Sequence, residues 1–163
     1  EKFRGVFVMR MMDLFLGIPS LFLDNGIGSA ERRELYGNAG RHRITPHGME
    51  YRTLSNFWVF NPELVSLVYQ LTDFCVNFVN EDKHLDFWSV DYKKLQDDDW
   101  HNEDGDVSNV HNCFGYNAQE LQNVINNNDK EGAEVFVKFI KNYLPAELME
   151  RISSVDLEKR WDA

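Results

Sequence analysis

Positive charge is scarce in this chain. Its 163 residues carry 17 Lys and Arg against 27 Asp and Glu, a formal net charge of −10. That balance argues against binding to nucleic acid, where affinity comes largely from neutralising phosphates. Cysteine is scarcer still. Cys75 and Cys113 form no metal-ligand motif and no disulfide framework, so a reducing cytoplasm is the expected compartment. A long hydrophobic run is also missing. Residues 6–18 are apolar but include Arg10 and Asp13, too short a run to span a bilayer and without a signal-peptide cleavage site. The expectation is a buried core helix and no membrane partner. Internal repeats and low-complexity tracts are absent.

What is present points to one globular unit. Twelve Phe and four Trp argue against disorder. A chain of this length buries roughly 70% of its unfolded surface. It opens on Glu, and an apolar helix begins almost at once, so residues preceding Glu1 are expected.

The hydrophobic spacing predicts a helix over 2–16, stopped by Gly17 and Pro19. Phe3, Val6, Phe7, Met9, Met12, Leu14 and Phe15 cover more than one of its faces, so it must be covered. A short apolar run and a turn-rich loop follow over 20–29. A short helix is expected over 30–36, with Ser29 as N-cap and Gly37 as its stop. Strands are predicted over 41–45 and 49–54, joined by Pro46, His47 and Gly48. Asn61 caps a helix running from Pro62 to about residue 80. Residues 81–116 read as an acidic loop or insertion, with DDDWHNEDGD over 97–106. Helices over 117–127, 129–143 and 145–153 close the chain. The expected units are thus 1–80, 81–116 and 117–163.

Against the acidic background, five of the nine arginines fall within residues 31–52, a stretch without lysine. The forked, always charged guanidinium suits a bidentate grip on phosphate or carboxylate. Glycines at 37, 40 and 48 allow sharp turns and close backbone approach. Glu50 stands two residues before Arg52, so on a strand both face one way. The plain alternative is a solvated charged hairpin. Arginines set among glycines, and not among lysines and glutamates, favour a ligand site.

The sequence RRELYGNAGRHRITPHGMEYRTLSNFW resembles the signature of the phage-type carboxylate–amine ligases, or amidoligases, COOH-NH2 ligase type 2. The preceding MMDLFLGIPSLFLD resembles the helix and loop upstream of it. Together the resemblance spans about residues 5–80, and it is to the C-terminal half of that domain. The family is similar to the glutamine synthetase and glutamate–cysteine ligase superfamily. The resemblance therefore implies an α+β fold, a partial glutamine-synthetase-like antiparallel sheet packed by helices with a helical C-terminal part. It implies an ATP-dependent ligase that makes an amide through an acyl phosphate, with Mg2+ as second cofactor and a small carboxylate and a small amine as substrates. By position, Glu50 matches the metal-binding acid. Arg52 and Arg43 match catalytic arginines facing substrate or phosphate. Arg33, Tyr36, Arg41 and Arg43 fall where the nucleotide is held. His47 stands where the family has tyrosine. Two amino-terminal strand motifs that complete the family's metal site are not in this sequence, so the chain is expected to need a further half, or a homo-oligomer, to act. The resemblance also implies a phage origin and hence the host cytoplasm, or the virion.

Two rivals stay open: a catalytically inactive ligase-like binding or virion structural protein, and another phosphate-handling enzyme using the same arginines. Elsewhere the signals are plain. The acidic stretch 97–106 lacks the register of a calcium loop. His84, His101 and His111 share no metal-ligand spacing. Ser55 has no nucleophile-elbow context.

Overall fold

One apolar helical rod organises the fold. The computed structural model describes residues 2–24, 29–87 and 117–161. Helix α1 (Lys2–Met12) runs into a π-helical turn (Asp13–Gly17) and on into α2 (Ile18–Leu23) without a break. The stop expected at Gly17 and Pro19 is therefore corrected: the short apolar run expected as a separate segment after it continues the helix to Leu23. The N–H of Ile18 donates to the carbonyl of Asp13, five residues back. That wider turn relieves the clash a proline makes with the carbonyl one turn earlier. Pro19 then sits in the first turn of α2, a position that proline tolerates. Continuity also corrects the length estimate. Residues 4–23 form 20 helical residues of mean hydropathy 1.7, long and apolar enough to cross a membrane. In this fold 72% of that stretch is buried, the pattern of a core helix.

The remaining elements wrap this rod. They are α3 (Ser29–Leu35), β1 (His42–Thr45), β2 (Gly48–Tyr51), α4 (Pro62–Asn80), a 3-10 turn (Lys83–Phe87), α5 (Ala118–Asn126), α6 (Lys130–Ile140) and α7 (Ala146–Ser154). The architecture is α+β, with one two-stranded antiparallel sheet among the described residues. Helix α4 packs along α1, while α5 and α6 pack on α2 and the π-turn. Leu14, Phe15, Leu16, Ile18 and Leu21 are fully buried against Leu67 and Leu71 of α4, Ile125 of α5 and Ile140 of α6. Phe15 meets Phe74 edge-on at 5.0 Å and Phe78 at 5.4 Å. Each such side chain contributes roughly 1.5–3 kcal/mol. The chain thus covers most of its own apolar helix, though Val6 stays exposed.

The helix ends follow capping chemistry. The Asn61 side chain accepts from the N–H groups of Glu63 and Leu64, and its amide donates to the carbonyl of Asp156 at 2.7 Å. Asn117 and Asp129 accept from Glu120 and Gly132 in the same way. The helices expected over 62–80 and in the C-terminal part lie within a few residues of their predicted ends. The 97–106 stretch, Cys113, His101 and His111 lie outside the described residues. His84 is buried with its ring 4.8 Å from that of Phe7.

Candidate active site on the arginine hairpin

Strands β1 and β2 form a hairpin in which Arg43 pairs with Glu50 and His42 with Tyr51. Only Pro46 and His47 lie between the paired Thr45 and Gly48. Gly48 takes φ +151°, which a side chain rarely tolerates. One step beyond the ladder, the Arg52 N–H still donates to the Arg41 carbonyl at 2.9 Å. Strand parity then places Arg41, Arg43, Glu50 and Arg52 on one face, and Met49 and Tyr51 on the other. Glu50 sits between two guanidinium groups: its Oε2 lies 2.5 Å from Arg43 Nη2 and its Oε1 3.6 Å from Arg52 Nε. These side chains are 62%, 41% and 38% exposed for Arg43, Glu50 and Arg52. Exposed pairs of this kind contribute about 0–1 kcal/mol. They do not hold the fold together, so an incoming anion can compete for the arginines.

The strand ends earlier than the sequence suggests. Arg32 explains why. Its Nη1 donates to the carbonyl of Thr53 and its Nη2 to that of Arg52, each at 2.7 Å. Those carbonyls are thereby withdrawn from any longer ladder. Thr53 Oγ1 turns to the Asn38 carbonyl at 3.0 Å. The Arg32 guanidinium also lies 4.9 Å over the Tyr36 ring, with that of Arg52 5.8 Å away. Tyr36 is thus flanked by two cations at the edge of the hairpin. A Cβ on Gly37 would collide with the Arg32 guanidinium.

Of the residues singled out from sequence, Arg41, Arg43, Glu50, Arg52 and Tyr36 come together at the hairpin. Arg33 does not join them. It is 3% exposed, and its Nη1 donates to the Ile125 carbonyl at 2.7 Å and to Asn128 Oδ1 at 3.1 Å. It closes the C-terminal end of α5, where carbonyls lack helical partners. Burial lowers its pKa, while Asp24 opposes that shift. Its neighbour Arg32 lies at the hairpin instead. Arg32 and Tyr36 are four residues apart, one helical turn, and that spacing is the signal that could have distinguished the two arginines.

A family model described as phage phiEco32-like COOH.NH2 ligase-type 2 matches residues 4–161. The chain belongs to that family. Membership extends past residue 80, where the sequence resemblance stopped, and takes in all of α5 to α7. No curated protein and no solved structure matches the chain.

One polar residue of this ligase-family chain stands out in the sequence only as a charge interrupting an apolar run. Asp13, in the π-turn, is fully buried. Its Oδ1 accepts from the Gly40 N–H at 2.9 Å and from the Tyr51 hydroxyl at 2.8 Å. Its Oδ2 is buried without a hydrogen-bond partner among the described residues. Burial pushes the carboxyl up to about 6, although the Gly40 and Tyr51 hydrogen bonds and the charges of Arg10 and His42 pull the other way. Burial and the neighbouring Asp13 likewise push the Tyr51 hydroxyl well up. Asp13 therefore ties both strands of the hairpin, at its open end, to the core rod. Gly40 takes φ +75°, and a Cβ there would come within 3.5 Å of Asp13 Oδ2. An acid inside an apolar helix was the visible signal, but its partners lie 27 and 38 residues away.

A magnesium ion does not fit the described residues by themselves. Among them no group of three His, Cys, Asp or Glu side chains is placed to hold a metal. Glu50 is the one carboxylate on its face of the hairpin, and both its oxygens already meet arginines.

Proposed function

We propose that this protein takes part in ATP-dependent ligation of a carboxylate to an amine, with the Arg41–Arg43–Glu50–Arg52 face as its anion-handling surface. The observation that carries this reading is the register of the hairpin. Three arginines and one glutamate share an exposed face, held by weak ion pairs in an otherwise acidic chain. Membership of the COOH.NH2 ligase-type 2 family supports a carboxylate–amine ligation.

In the proposed reaction a carboxylate oxygen attacks the γ-phosphorus of ATP. The bond to ADP breaks and an acyl phosphate forms. The amine nitrogen then attacks the carbonyl carbon, phosphate leaves with the former carboxylate oxygen, and the nitrogen gives up a proton. Arg52 and Arg43 would stabilise charge on the transferring phosphoryl group and on the carboxylate. Glu50 keeps the two guanidinium groups apart and oriented. Tyr36 supports Arg52 from beneath. Magnesium ligands beyond the described residues are required, and no step is assigned to that ion.

The test is isotopic. A pool of amino acids labelled with 18O in their carboxylates is incubated with ATP and magnesium. Transfer of label into inorganic phosphate, with equal ADP, supports the acyl-phosphate route. ADP formed with unlabelled phosphate contradicts it.

A second reading is favoured by one specific observation. Both Glu50 oxygens are occupied by arginines, and no metal cluster accompanies them among the described residues. A ligase-like protein that binds the anion without turnover fits that arrangement. Binding of ATP with no ADP formed for any carboxylate–amine pair would support it.

A further inference from the structure

Stability alone does not explain Asp13. Its neighbours in the rod, Leu14, Phe15 and Leu16, are apolar and fully buried. An acid among them loses its hydration, and its Oδ2 gains no hydrogen bond in return among the described residues. The residue also opens the π-turn, a local widening that recurs at functional sites. Both hydrogen bonds to its Oδ1 come from the residue next to an arginine of the exposed face. Gly40 precedes Arg41, and Tyr51 precedes Arg52. Arg41 and Arg52 are themselves joined by the Arg52 N–H and the Arg41 carbonyl, 2.9 Å apart. One carboxylate oxygen therefore fixes the open end of the hairpin at the two points from which Arg41 and Arg52 project.

We propose that Asp13 is a positioning residue: by holding the Gly40 N–H and the Tyr51 hydroxyl on one oxygen, it sets where Arg41 and Arg52 stand on the anion-handling face. The proposal rests on the role given to that face above. Asp13 does not itself meet a ligand, because it is fully buried and Tyr51 points to the face opposite the arginines. Its effect passes through the strand backbone. A long arginine side chain grips an anion well only when the groups behind it are fixed, and buried hydrogen bonds to a rigid element supply that support. The Arg52 carbonyl is held from the other side by Arg32 Nη2. The second oxygen of Asp13 has polar company. Gln122 Nε2, Asp13 Oδ2 and Arg10 Nη1 lie 3.4, 3.5 and 3.6 Å from the point where a Cβ on Gly40 would stand. Gln122 can turn either end of its amide toward residue 13. Asparagine at 13 therefore keeps the Oδ1 contacts and finds a partner for its amide, whereas leucine keeps no contact of this kind.

Two readouts on the intact protein test this. Titration calorimetry with inorganic pyrophosphate reads the arginine face as an anion meets it. Amide hydrogen exchange at Arg52 reads the strand with no ligand present. The variants are Asp13→Asn, Asp13→Leu and Tyr51→Phe, with Asn61→Ala as a stability control, since Asn61 bonds to neither Asp13 nor the hairpin. Pyrophosphate should bind about tenfold more weakly to Asp13→Leu and about threefold more weakly to Tyr51→Phe. Asp13→Asn should stay within about threefold of wild type, and Asn61→Ala should match it. The Arg52 N–H should exchange about tenfold faster in Asp13→Leu and Tyr51→Phe, while the core amide of Leu71 moves no more than in Asn61→Ala. A merely structural Asp13 would raise exchange at Arg52 and Leu71 alike and leave the affinity of the folded protein unchanged; that result overturns the proposal. Should Asp13→Leu not fold, wild-type affinity in Tyr51→Phe overturns it. If wild type does not bind pyrophosphate at all, the anion-handling reading fails. Faster exchange confined to Arg52 would then still uphold Asp13 as the residue that positions the strand, and its absence would overturn that too.

Discussion

The Tyr51 hydroxyl donates to Asp13 Oδ1 at 2.8 Å, and this bond joins the last residue of β2 to the first residue of the π-turn. It links the exposed arginine face to the most buried part of the core. A carboxylate in that position stands to make folding depend on pH.

Asp13 has its folded pKa raised from 3.8 to about 6. A raised value means that the folded state holds the proton more tightly than the unfolded one. The stability it contributes is complete below about pH 4 and is lost as pH rises through 6. The loss is on the order of 3 kcal/mol. His84 acts in the opposite sense: burial lowers its pKa, so its contribution fades as pH falls below about 6.5. Comparison with Asp13→Asn removes the His84 effect. The stability difference between variant and wild type should move in favour of the variant by on the order of 3 kcal/mol between pH 4 and pH 8. Urea midpoints across that range check it, and parallel curves would refute the assignment.

Arg33 should act on stability and not on ligand binding. Its loss takes the charged donor from the Ile125 carbonyl, which keeps the Asn128 N–H at 3.2 Å, and frees the side chain of Asn128, whose φ of 55° lies in the left-handed region that ends α5. Arg33→Ala is expected to cost about 1–3 kcal/mol. Nucleotide affinity of the folded variant should match wild type. A variant of normal stability with no nucleotide binding would show that Arg33 reaches the ligand after all.

Asn61 caps α4 and also holds the C-terminal segment through the Asp156 carbonyl. Asn61→Ala removes both functions and should cost about 1–2 kcal/mol. Asn61→Asp keeps the cap but loses the amide donor. Its stability should lie between the two, as thermal melts would show. Equal melting of Asn61→Asp and Asn61→Ala would mean that the Asp156 contact dominates.

Much of this arrangement was legible in the sequence, for reasons that differ from residue to residue. Asn61-Pro62 and Asp129 are local signals, since cap and helix lie within one turn, and the helices followed them. The hairpin was legible because Pro46, His47 and Gly48 separate two β-prone runs and because Glu50 and Arg52 share strand parity. The helix end at Gly17 and Pro19 was misread. Proline and glycine stop an ordinary α-helix, but a π-turn absorbs both, and burial of Leu16, Ile18 and Leu21 outweighs the local preference. Arg32 and Arg33 are neighbours of one type; the one-turn spacing from Arg32 to Tyr36 was the sole local signal between them, and the positions of residues 52, 53 and 125 decide their roles. Asp13 was hidden for the same reason: its partners Gly40 and Tyr51 are set by tertiary packing.

The most direct test of the account is the rate of ADP release from ATP, with magnesium and a pool of carboxylates and amines, in wild type, Arg52→Ala, Arg52→Lys and Glu50→Ala. The variants are compared only where far-UV circular dichroism and melting show an intact fold. The exposed ion pairs predict that all three remain folded. Arg52→Ala should lose on the order of 100-fold to 1,000-fold in rate. Arg52→Lys should recover part of it, because charge returns without the fork. Glu50→Ala should fall as well, as Arg43 and Arg52 lose the carboxylate that orients them. Wild-type rates in folded Arg52→Ala and Glu50→Ala would contradict the claim that this hairpin face is the site of ligation.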